Sequence, residues 1–239
     1  MLRGMGQIYL VRHGQASFNA DDYDQLSPLG AQQARHLGDW FARCSRSVDA
    51  LHLGTLRRHR QTAEHFIETL RADLRAPGEP GVDAGFDEYD HEAILLAARR
   101  DLSTPAELRA WTARQPHPRR AFQQLFAEAL QRWVAGRHDA DYAESWVGFR
   151  SRCMAALQRS IEAAGASKTL VIVTSGGPIS AICQALMELT DRGACELCFS
   201  LANSGVTRLL YSGSRLGVDH LNSVAHLEVT GDSRLVTYR

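Results

Sequence analysis

The sequence predicts an α/β protein in which a mostly parallel sheet lies between two layers of helices. Short β-branched runs alternate with longer helical patterns along its 239 residues, and this alternation is typical of a parallel sheet covered on both faces. Glycine, polar or charged residues follow the strand-like runs, as expected where strands end at one edge of such a sheet. A chain of this length can bury a core of its own without disulfides or a metal.

Six segments carry strand patterns. The clearest is 169–173, where every residue is apolar or β-branched. The last two segments flank a Ser-Gly-Ser turn, so we expect them to form a hairpin at the edge of the sheet. The predicted strands are 7–11, 48–53, a weak 82–86, 169–173, 205–211 and 216–223.

Helical patterns fill most of the remaining chain. In the first helix apolar residues recur at helical spacing from Ala31 to Phe41, and Pro28 stands in a favoured first-turn position. Beyond position 90 the pattern stays helical to about 136, so residues 90–145 look like an insertion that lies over the sheet. The predicted helices are 29–44, 57–74, those within 90–136, 144–164 and one that begins near Pro178.

Charge and hydropathy exclude several classes of partner. Lys plus Arg number 27 and Asp plus Glu number 27, which gives a formal net charge of zero. Without a net positive field we expect no nucleic-acid partner and no acidic membrane surface as partner. The uncharged run at 170–187 is broken by Thr174-Ser175-Gly176-Gly177-Pro178, so it predicts a strand, a turn and a helix rather than a membrane span. The apolar run near the N-terminus is too short for a signal peptide, and we expect a cytoplasmic protein.

The five cysteines predict neither a disulfide framework nor a metal site. Their odd number and irregular spacing are typical of a reducing compartment. Cys195-Glu-Leu-Cys198 is a lone CxxC, whereas a zinc site needs a second pair of ligands. We therefore expect no metal and no other cofactor.

Chemically distinctive residues follow four of the predicted strands, at the edge where ligands bind in such sheets. A helix N-terminus and arginine side chains both bind phosphate. A histidine can act as a nucleophile while a nearby acid protonates a leaving oxygen. Together these groups meet the needs of metal-free phosphoryl transfer through a phosphohistidine. They are Arg12-His13-Gly14, Gly54-Thr55-Leu56-Arg57-Arg58, Asp87-Glu88 and Thr174-Ser175-Gly176-Gly177.

Several short motifs also occur in a fixed order along nearly the whole chain. They are Leu10-Val11-Arg12-His13-Gly14-Gln15 with Asn19, Leu26-Ser27-Pro28-Leu29-Gly30 with Gln33-Ala34, Leu56-Arg57-Arg58-His59-Arg60-Gln61-Thr62-Ala63, Glu144-Ser145 with Arg152, Thr174-Ser175-Gly176-Gly177-Pro178-Ile179, and Asn222 with His226-Leu227. The set resembles the histidine phosphatase (phosphoglycerate mutase-like) superfamily. In that family the third motif reads L-x-R-A-x-Q-T-A and the fifth reads S-H-G-G-x-I.

The resemblance implies a fold and a reaction. It implies a single domain over residues 1–239, with the helical segment 90–145 as a cap over the site. It also implies a phosphatase that acts on a small phosphorylated substrate. A mutase fits less well, because 19–26 is shorter than the Trp-containing segment that phosphoglycerate mutases share there. The family includes monomers and dimers, so a homodimer is compatible with the resemblance.

The resemblance also implies roles for particular residues. His13 would accept the phosphoryl group, and Arg12 and Arg58 would hold the phosphate oxygens. Glu88 would protonate the leaving group and then activate water. Asn19 would lie at the edge of the pocket.

The chain departs from the family pattern at Ser175, where the family has a second histidine that donates to the phosphoryl oxygens. Ser175 and Gly176 are therefore expected to bind substrate with a weaker donor. By analogy with oxyanion holes, loss of one donor lowers the rate on the order of 10²–10³-fold. Thr174, a backbone N–H near Gly176, and His226 are candidate replacements.

Alternatives stay open for two site positions. Arg57 and Arg60 compete with Arg58, since an exposed helix start is often rich in arginine. Three acids of the run after the third strand compete with Glu88, namely Asp87, Asp90 and Glu92.

Two other functions compete with a phosphatase. Loss of the second histidine would also suit a degenerate site, in a protein that binds a phosphorylated ligand or regulates with little turnover. A serine hydrolase with Ser175 as nucleophile is disfavoured, because the G-x-S-x-G turn needs glycine where this chain has Val173.

Overall fold

The structure is a computed structural model that describes residues 5–17 and 24–238, and a six-stranded sheet lies at the centre of that part of the chain. The order of the strands across the sheet is β3-β2-β4-β1-β5-β6. The first four strands in sequence pair parallel with one another, while β5 runs antiparallel to β1 and to β6. The strands are β1 (Gly6–Arg12), β2 (Ala50–Leu53), β3 (Gly81–Val82), β4 (Thr169–Thr174), β5 (Val206–Ser212) and β6 (Arg215–Ser223).

Helices cover both faces of this sheet. Residues of α1 and α2 pack with one set of strand side chains, and residues of α6 and α7 pack with the other. The predicted class, α/β with a mostly parallel sheet between helical layers, is thereby confirmed. The helices are α1 (Pro28–Arg43), α2 (Arg57–Thr69), α3 (His91–Ala98), α4 (Pro105–Ala113), α5 (Pro118–Val134), α6 (Trp146–Ala164), α7 (Gly176–Met187), α8 (Asp191–Ser200) and α9 (Ala225–Glu228).

The alternation of side chains along β1 explains why both faces must be covered. Tyr9 and Val11 point towards α1 and α2, whereas Ile8 and Leu10 point towards α6 and α7. All four are almost fully buried. Burying a side chain of this size contributes about 1.5–3 kcal/mol, so an uncovered face would be costly.

The segment between β3 and α6 is helical, as the pattern predicts. Apolar side chains of α3, α4 and α5 join the same core as α6, and Trp133 is buried against Trp146 and Phe149 with ring centroids 5.1 and 5.5 Å away. The Trp133 indole N–H also donates to the carbonyl of Glu144 at 2.8 Å. These helices are thus tied to the body of the protein.

The predicted helix 57–74 is too long. Its helical part ends at Thr69, Leu70 is extended, and Ala72–Leu74 form a separate 3₁₀ turn. The backbone N–H of Val48 donates to the carbonyl of Leu74 at 2.8 Å, and Leu70 and Leu74 are both buried. A continuous helix would carry these groups away from β2, so tertiary contacts override the local helical preference.

The predicted strand 82–86 is mostly wrong. Only Gly81–Val82 pair with β2, and Ala84–Phe86 form a 3₁₀ turn instead. The Asp83 carboxylate accepts from the backbone N–H of Gly85 at 2.8 Å, which caps that turn. A local side-chain bond of this kind competes directly with strand pairing.

The two closing strands form the predicted hairpin. β5 and β6 pair antiparallel, and β6 is an edge of the sheet. Gly213 lies in the turn with φ +58°, a backbone conformation that glycine adopts without strain. Within the described residues, none of the helices has the length and apolarity that a bilayer crossing requires.

Candidate active site

A cavity of about 480 Å³ opens where β1 and β4 end. Five of its lining residues, which we call the polar cluster, lie at or directly after the end of β1, shortly after the 3₁₀ turn Ala84–Phe86, or in the first turn of α2 or α7. The remaining lining comes mainly from α3, α4, α5 and α8. The polar cluster consists of Arg12, His13, Arg58, Glu88 and Gly176.

His13 is held rigidly directly after β1. Its backbone N–H donates to the Thr174 carbonyl at 2.8 Å, and its carbonyl accepts from Ser204 at 3.1 Å. Its Nδ1 lies 2.7 Å from the carbonyl oxygen of Gly14. Because a carbonyl can only accept, Nδ1 carries the proton. Burial, together with the charges of Arg58 and Arg12, holds the pKa of His13 well below its ordinary value, so the ring is neutral and Nε2 holds the lone pair.

Motif residues fix the loop that follows His13. A Cβ on Gly14 would overlap the carbonyl oxygen of Gly30, so α1 can approach only because this residue is glycine. The backbone N–H of Gly14 donates to the Thr62 hydroxyl at 3.1 Å, and that of Gln15 donates to Gln33 at 2.8 Å. These motif residues therefore hold the backbone around His13 in place.

Arg58 lies in the first turn of α2 and faces the cavity, whereas Arg57 and Arg60 are exposed and do not line it. Its side chain is buried, and its Nη1 lies 2.8 Å from the Asp24 carboxylate. The structure thus places Arg58, of the three arginines that the sequence left open, beside His13.

Arg12 is the last residue of β1 and reaches the other side of the cavity. Its Nη1 donates to the carbonyl of Leu201, and also to that of Tyr238 at 3.4 Å. The charge of Arg12 contributes to the lowered pKa of His13, so the guanidinium lies close enough to act on that ring.

Glu88 lines the cavity with both carboxylate oxygens near the start of α7. The backbone N–H of Gly177 donates to them at 3.1 and 3.2 Å. Removal from water raises the pKa of Glu88, and the charge of Arg58 opposes this effect only in part. A raised pKa favours the protonated acid near neutral pH.

The competing acids are engaged elsewhere. Asp87 accepts from the backbone N–H and hydroxyl of Thr55, both at 2.5 Å. Asp90 caps α3 through the N–H of Ala93. Glu92 reaches the rim of the cavity, where it pairs with Arg109 at 3.1 Å.

The motif on α6 supports the segment that carries Glu88. The Arg152 guanidinium forms two bonds to the Glu144 carboxylate, at 2.8 and 3.0 Å. Its Nη1 donates to the carbonyls of Ala84, Gly85 and Asp87 at 2.9–3.2 Å. This ion pair therefore fixes the turn directly before Glu88 and does not itself reach the cavity.

Ser175 is the N-cap residue of α7, yet it is fully buried and does not line the cavity. Its hydroxyl lies 2.7 Å from Nε2 of His59, a residue that is also fully buried. The ring centroid of His59 is 5.8 Å from that of His13. Burial and the charge of Arg58 hold the pKa of His59 well below its ordinary value, so its ring is neutral.

The site assignment made from sequence omitted His59. One signal was present, since position 59 is histidine where the quoted family motif has alanine. Of the expected replacement donors, Thr174 donates to the Phe86 carbonyl and His226 bonds to Ser204, each at 2.6 Å. Only the backbone at Gly176 reaches the cavity. Asn19, expected at the pocket edge, lies outside the described residues.

Two further observations complete the chemistry of the site. Among residues 5–17 and 24–238, no group of three or more His, Cys, Asp and Glu side chains is arranged to hold a metal ion. Cys198 also lines the cavity, but burial raises the pKa of its thiol to about 12, so it is not a nucleophile at neutral pH.

Comparison with known proteins defines the class. The family model of the histidine phosphatase superfamily (branch 1) matches residues 8–121 and 91–224, well over half of the chain. The chain therefore belongs to the histidine phosphatase superfamily. No curated protein matches it in sequence.

Solved structures support the fold. Phosphoglycerate mutase from Bacillus anthracis aligns with a TM-score of 0.67 and 16% identity, over 96% of this chain and 98% of that one. Phosphoserine phosphatase from Entamoeba histolytica, in complex with phosphoserine, gives 0.64 and 18%, over 93% and 99%. A mycobacterial glucosyl-3-phosphoglycerate phosphatase gives 0.61 and 22%, over 92% and 99%. At these identities the likeness is one of fold.

Proposed function

We propose that the protein is a phosphatase that hydrolyses a small phosphomonoester through a phosphohistidine on His13, without a metal ion. The observation that carries this proposal is the state of His13. A neutral ring whose Nδ1–H is bound to its own loop offers Nε2 to the cavity, next to two guanidinium groups and one carboxyl group. Membership of the superfamily supports the same reaction.

In the first step Nε2 of His13 attacks phosphorus, and the bond between phosphorus and the leaving oxygen breaks. Glu88, whose raised pKa favours the protonated form, gives its proton to that oxygen. In the second step the Glu88 carboxylate takes a proton from water, whose oxygen attacks the phosphohistidine. Inorganic phosphate leaves, His13 regains its lone pair, and Glu88 is protonated again.

The other members of the polar cluster stabilise the transferring group. Arg12 and Arg58 offer planar donors that match phosphate oxygens. Gly176 presents the start of α7, where backbone N–H groups and the helix dipole favour an anion. These groups are already in place before the reaction, which is the condition for effective electrostatic stabilisation.

The remaining parts of the proposal concern organisation. Residues 1–239 form one domain, and the segment 90–145, which includes α3 to α5, acts as a cap that selects the leaving group. All five cysteines are free thiols, which supports a reducing, cytoplasmic setting.

Hydrolysis of p-nitrophenyl phosphate in EDTA, from about pH 5 to 8, tests the proposal. We expect wild-type turnover that His13→Ala abolishes. Arg58→Ala should lower kcat/KM by about 10²-fold or more, through loss of a charged donor. Arg57→Ala is the matched control on the exposed side of the same helix start, and it should retain wild-type kinetics.

Two outcomes would overturn the proposal. Turnover that persists in His13→Ala would show that His13 is not the nucleophile. Binding of phosphate that depends on Arg58, without turnover of any phosphomonoester by the wild type, would indicate a protein that only binds a phosphorylated ligand.

A further inference from the structure

The side of the cavity opposite the polar cluster is apolar. We call this side the apolar lining, and it spans residues from α3, α4, α5 and α8. Phe126 packs edge-on against Phe199 and is stacked with Phe122, with ring centroids 5.6 and 6.1 Å apart. The apolar lining consists of Leu95, Leu108, Phe122, Phe126 and Phe199.

The charged side chains near the apolar lining do not provide a binding site for an anionic group of the substrate. Within the described part of the chain, Arg109 is the cation on this side of the cavity, and Glu92 pairs with it at 3.1 Å. Both side chains are largely exposed at the rim. Burial lowers the pKa of His91, so that ring is neutral at neutral pH. A second anionic group on a substrate would therefore meet hydrocarbon or a neutralised ion pair.

We propose that the leaving group of the substrate is an apolar or aromatic alcohol without a carboxylate or second phosphate. This proposal rests on the proposed function, because it takes the polar cluster as the phosphoryl site. A cavity of about 480 Å³ has room for an aryl or branched alkyl group beside the phosphoryl group. An aromatic ring buried there gains free energy from lost apolar surface, whereas an unpaired buried carboxylate loses its hydration.

Two sets of probes test this inference. The first compares turnover of 1-naphthyl phosphate with that of O-phosphoserine and 3-phosphoglycerate. The second compares equilibrium binding of benzylphosphonate and 3-phosphonopropionate, which cannot be hydrolysed. We expect kcat/KM and affinity to favour the apolar member of each set by at least about tenfold.

Variants assign this preference to the apolar lining. Phe122→Ser removes a half-buried ring from the cavity and should raise KM for 1-naphthyl phosphate by about tenfold, with kcat and the response to O-phosphoserine nearly unchanged. Trp111→Ser is the control, because Trp111 is a half-buried aromatic of α4 that does not line the cavity.

The outcomes separate this inference from the proposed function. Equal or better turnover and binding of the carboxylate-bearing probes would overturn the apolar preference while leaving the phosphatase intact. If no ester is hydrolysed, the proposed function fails, and the two phosphonates still decide whether the cavity prefers an apolar group.

The buried pair of His59 and Ser175 carries a second inference. Nε2 of His59 is bonded to Ser175, but its Nδ1 has no hydrogen-bond partner within the described residues. A buried N–H without an acceptor is rarer than an acceptor without a donor. The proton therefore lies on Nε2, which donates to the Ser175 hydroxyl oxygen and leaves the hydroxyl proton for another acceptor.

The usual partner of an N-cap serine is absent at α7. Such a hydroxyl accepts from the second or third N–H of its helix. The third residue here is Pro178, which has no N–H, and the N–H of Gly177 donates to Glu88. Ser27 and Ser145, by contrast, cap α1 and α6 in the ordinary way.

We infer that His59 is a positioning residue: its bond to the buried Ser175 hydroxyl fixes the backbone from Thr174 to Gly176 beside the phosphoryl site. The neighbours of Ser175 connect this segment to the site. The carbonyl of Thr174 binds the backbone of His13, and Gly176 lines the cavity. This inference also rests on the proposed function, since it requires a phosphoryl group on His13.

Two substitutions of similar size distinguish positioning from packing. His59→Gln keeps an N–H donor, whereas His59→Leu fills the space and removes the donor. We expect His59→Leu to fold, to keep KM and to lose about tenfold in kcat, while His59→Gln retains most of kcat. Ser175→Ala should show the same loss, and the double variant His59→Leu/Ser175→Ala should be no worse than either single change.

The measurement needs kcat, KM and denaturant unfolding for each variant. Wild-type kcat in folded His59→Leu and Ser175→Ala would overturn the inference, and so would losses that multiply in the double variant. His13→Ala, assayed alongside, reports separately on the proposed function. Should His59→Leu fail to fold, His59→Gln and Ser175→Ala still decide, because a wild-type kcat in Ser175→Ala alone contradicts the role.

Discussion

The pKa of His13 is lowered and the pKa of Glu88 is raised, and this difference determines the pH range in which each side chain can act. His13 must be neutral to attack, and its pKa is held well below 6.5, so its activity is lost only as the pH falls through that lowered value. Glu88 must be protonated to assist the leaving group, and its pKa is raised above 4.5. Activity that needs the acid is lost as the pH rises through the raised value.

Glu88→Gln tests this assignment with two leaving groups. Phenyl phosphate needs protonation more than p-nitrophenyl phosphate does, so we expect its kcat/KM to fall by about 10²–10⁴-fold and the nitrophenyl ester to suffer less. The decline of wild-type activity on the alkaline side should disappear in the variant. Rates and pH profiles for both esters measure this directly.

A uniform loss for the two esters, with the alkaline decline unchanged, would contradict the role of Glu88. Asp87→Asn is a suitable comparison, because Asp87 is bonded to Thr55 and does not line the cavity. It should not alter the dependence on leaving group.

Much of the polar cluster could be predicted from the sequence, because its members follow apolar strand-like runs. Arg12, His13 and Gly176 flank the two strands with the strongest patterns. Arg58 could not be separated from Arg57 by pattern alone, since the choice depends on which side of a helix start faces the cavity. The contact between His59 and Ser175 joins residues 116 positions apart, so it exists only once β2 and β4 are paired.

At the scale of elements, the first turn of α7 connects the acid to the phosphoryl site. A Cβ on Gly177 would overlap Oε1 of Glu88 and lie 2.6 Å from the Tyr89 ring. That ring cannot easily move, because Trp133 and Phe149 pack against it with centroids 5.1 and 5.7 Å away. Close approach of α7 to Glu88 therefore requires glycine at this position.

Gly177→Ala should displace Glu88 from the start of α7. We expect at least about a tenfold loss of kcat/KM with phenyl phosphate and a decrease of about 1–3 kcal/mol in the free energy of unfolding. Gly217→Ala in β6 is the control, because a Cβ there meets no atom within 4 Å. Kinetics and denaturant unfolding of both variants check this, and wild-type turnover in Gly177→Ala would show that Glu88 does not depend on the helix start.

Element boundaries were harder to predict than element types. β1, β4 and the helices α1 and α6 follow from apolar periodicity, and Pro28 marks the start of α1. β3 has only two residues, which is too short to show the alternation of apolar and polar residues that predicts a strand. The end of α2 depends on the burial of Leu70 against β2 and its neighbours, which local propensity does not contain.

At the scale of the whole molecule, several buried histidines link folding to pH. His13, His59 and His226 are buried and have lowered pKa values, that of His226 to about 3. Below about pH 6.5 these histidines become protonated in the unfolded chain but stay neutral in the folded chain. The stability contributed by these groups is therefore present above their unfolded pKa and is lost as the pH falls. Glu88, whose pKa is raised, opposes this in part above pH 4.5.

We expect the free energy of unfolding to decrease between about pH 7 and 5, by up to about 1.4 kcal/mol per pH unit for each such histidine. His226→Asn should reduce the slope of unfolding free energy against pH by the contribution of about one histidine. His220→Asn is the control, because His220 is half-exposed at the surface. Denaturant titrations at several pH values measure the slopes, and equal slopes in the two variants would contradict the linkage.

The central claim is that His13 carries the phosphoryl group, and trapping that intermediate tests it most directly. The protein is mixed with a radiolabelled aryl phosphate in EDTA, quenched with base or acid, and analysed for protein-bound label. We expect label that survives base, is lost in acid as phosphohistidine is, maps to His13, and accumulates more in Glu88→Gln than in wild type. Label on another residue, or turnover by wild type with no labelled protein at any time, would contradict it.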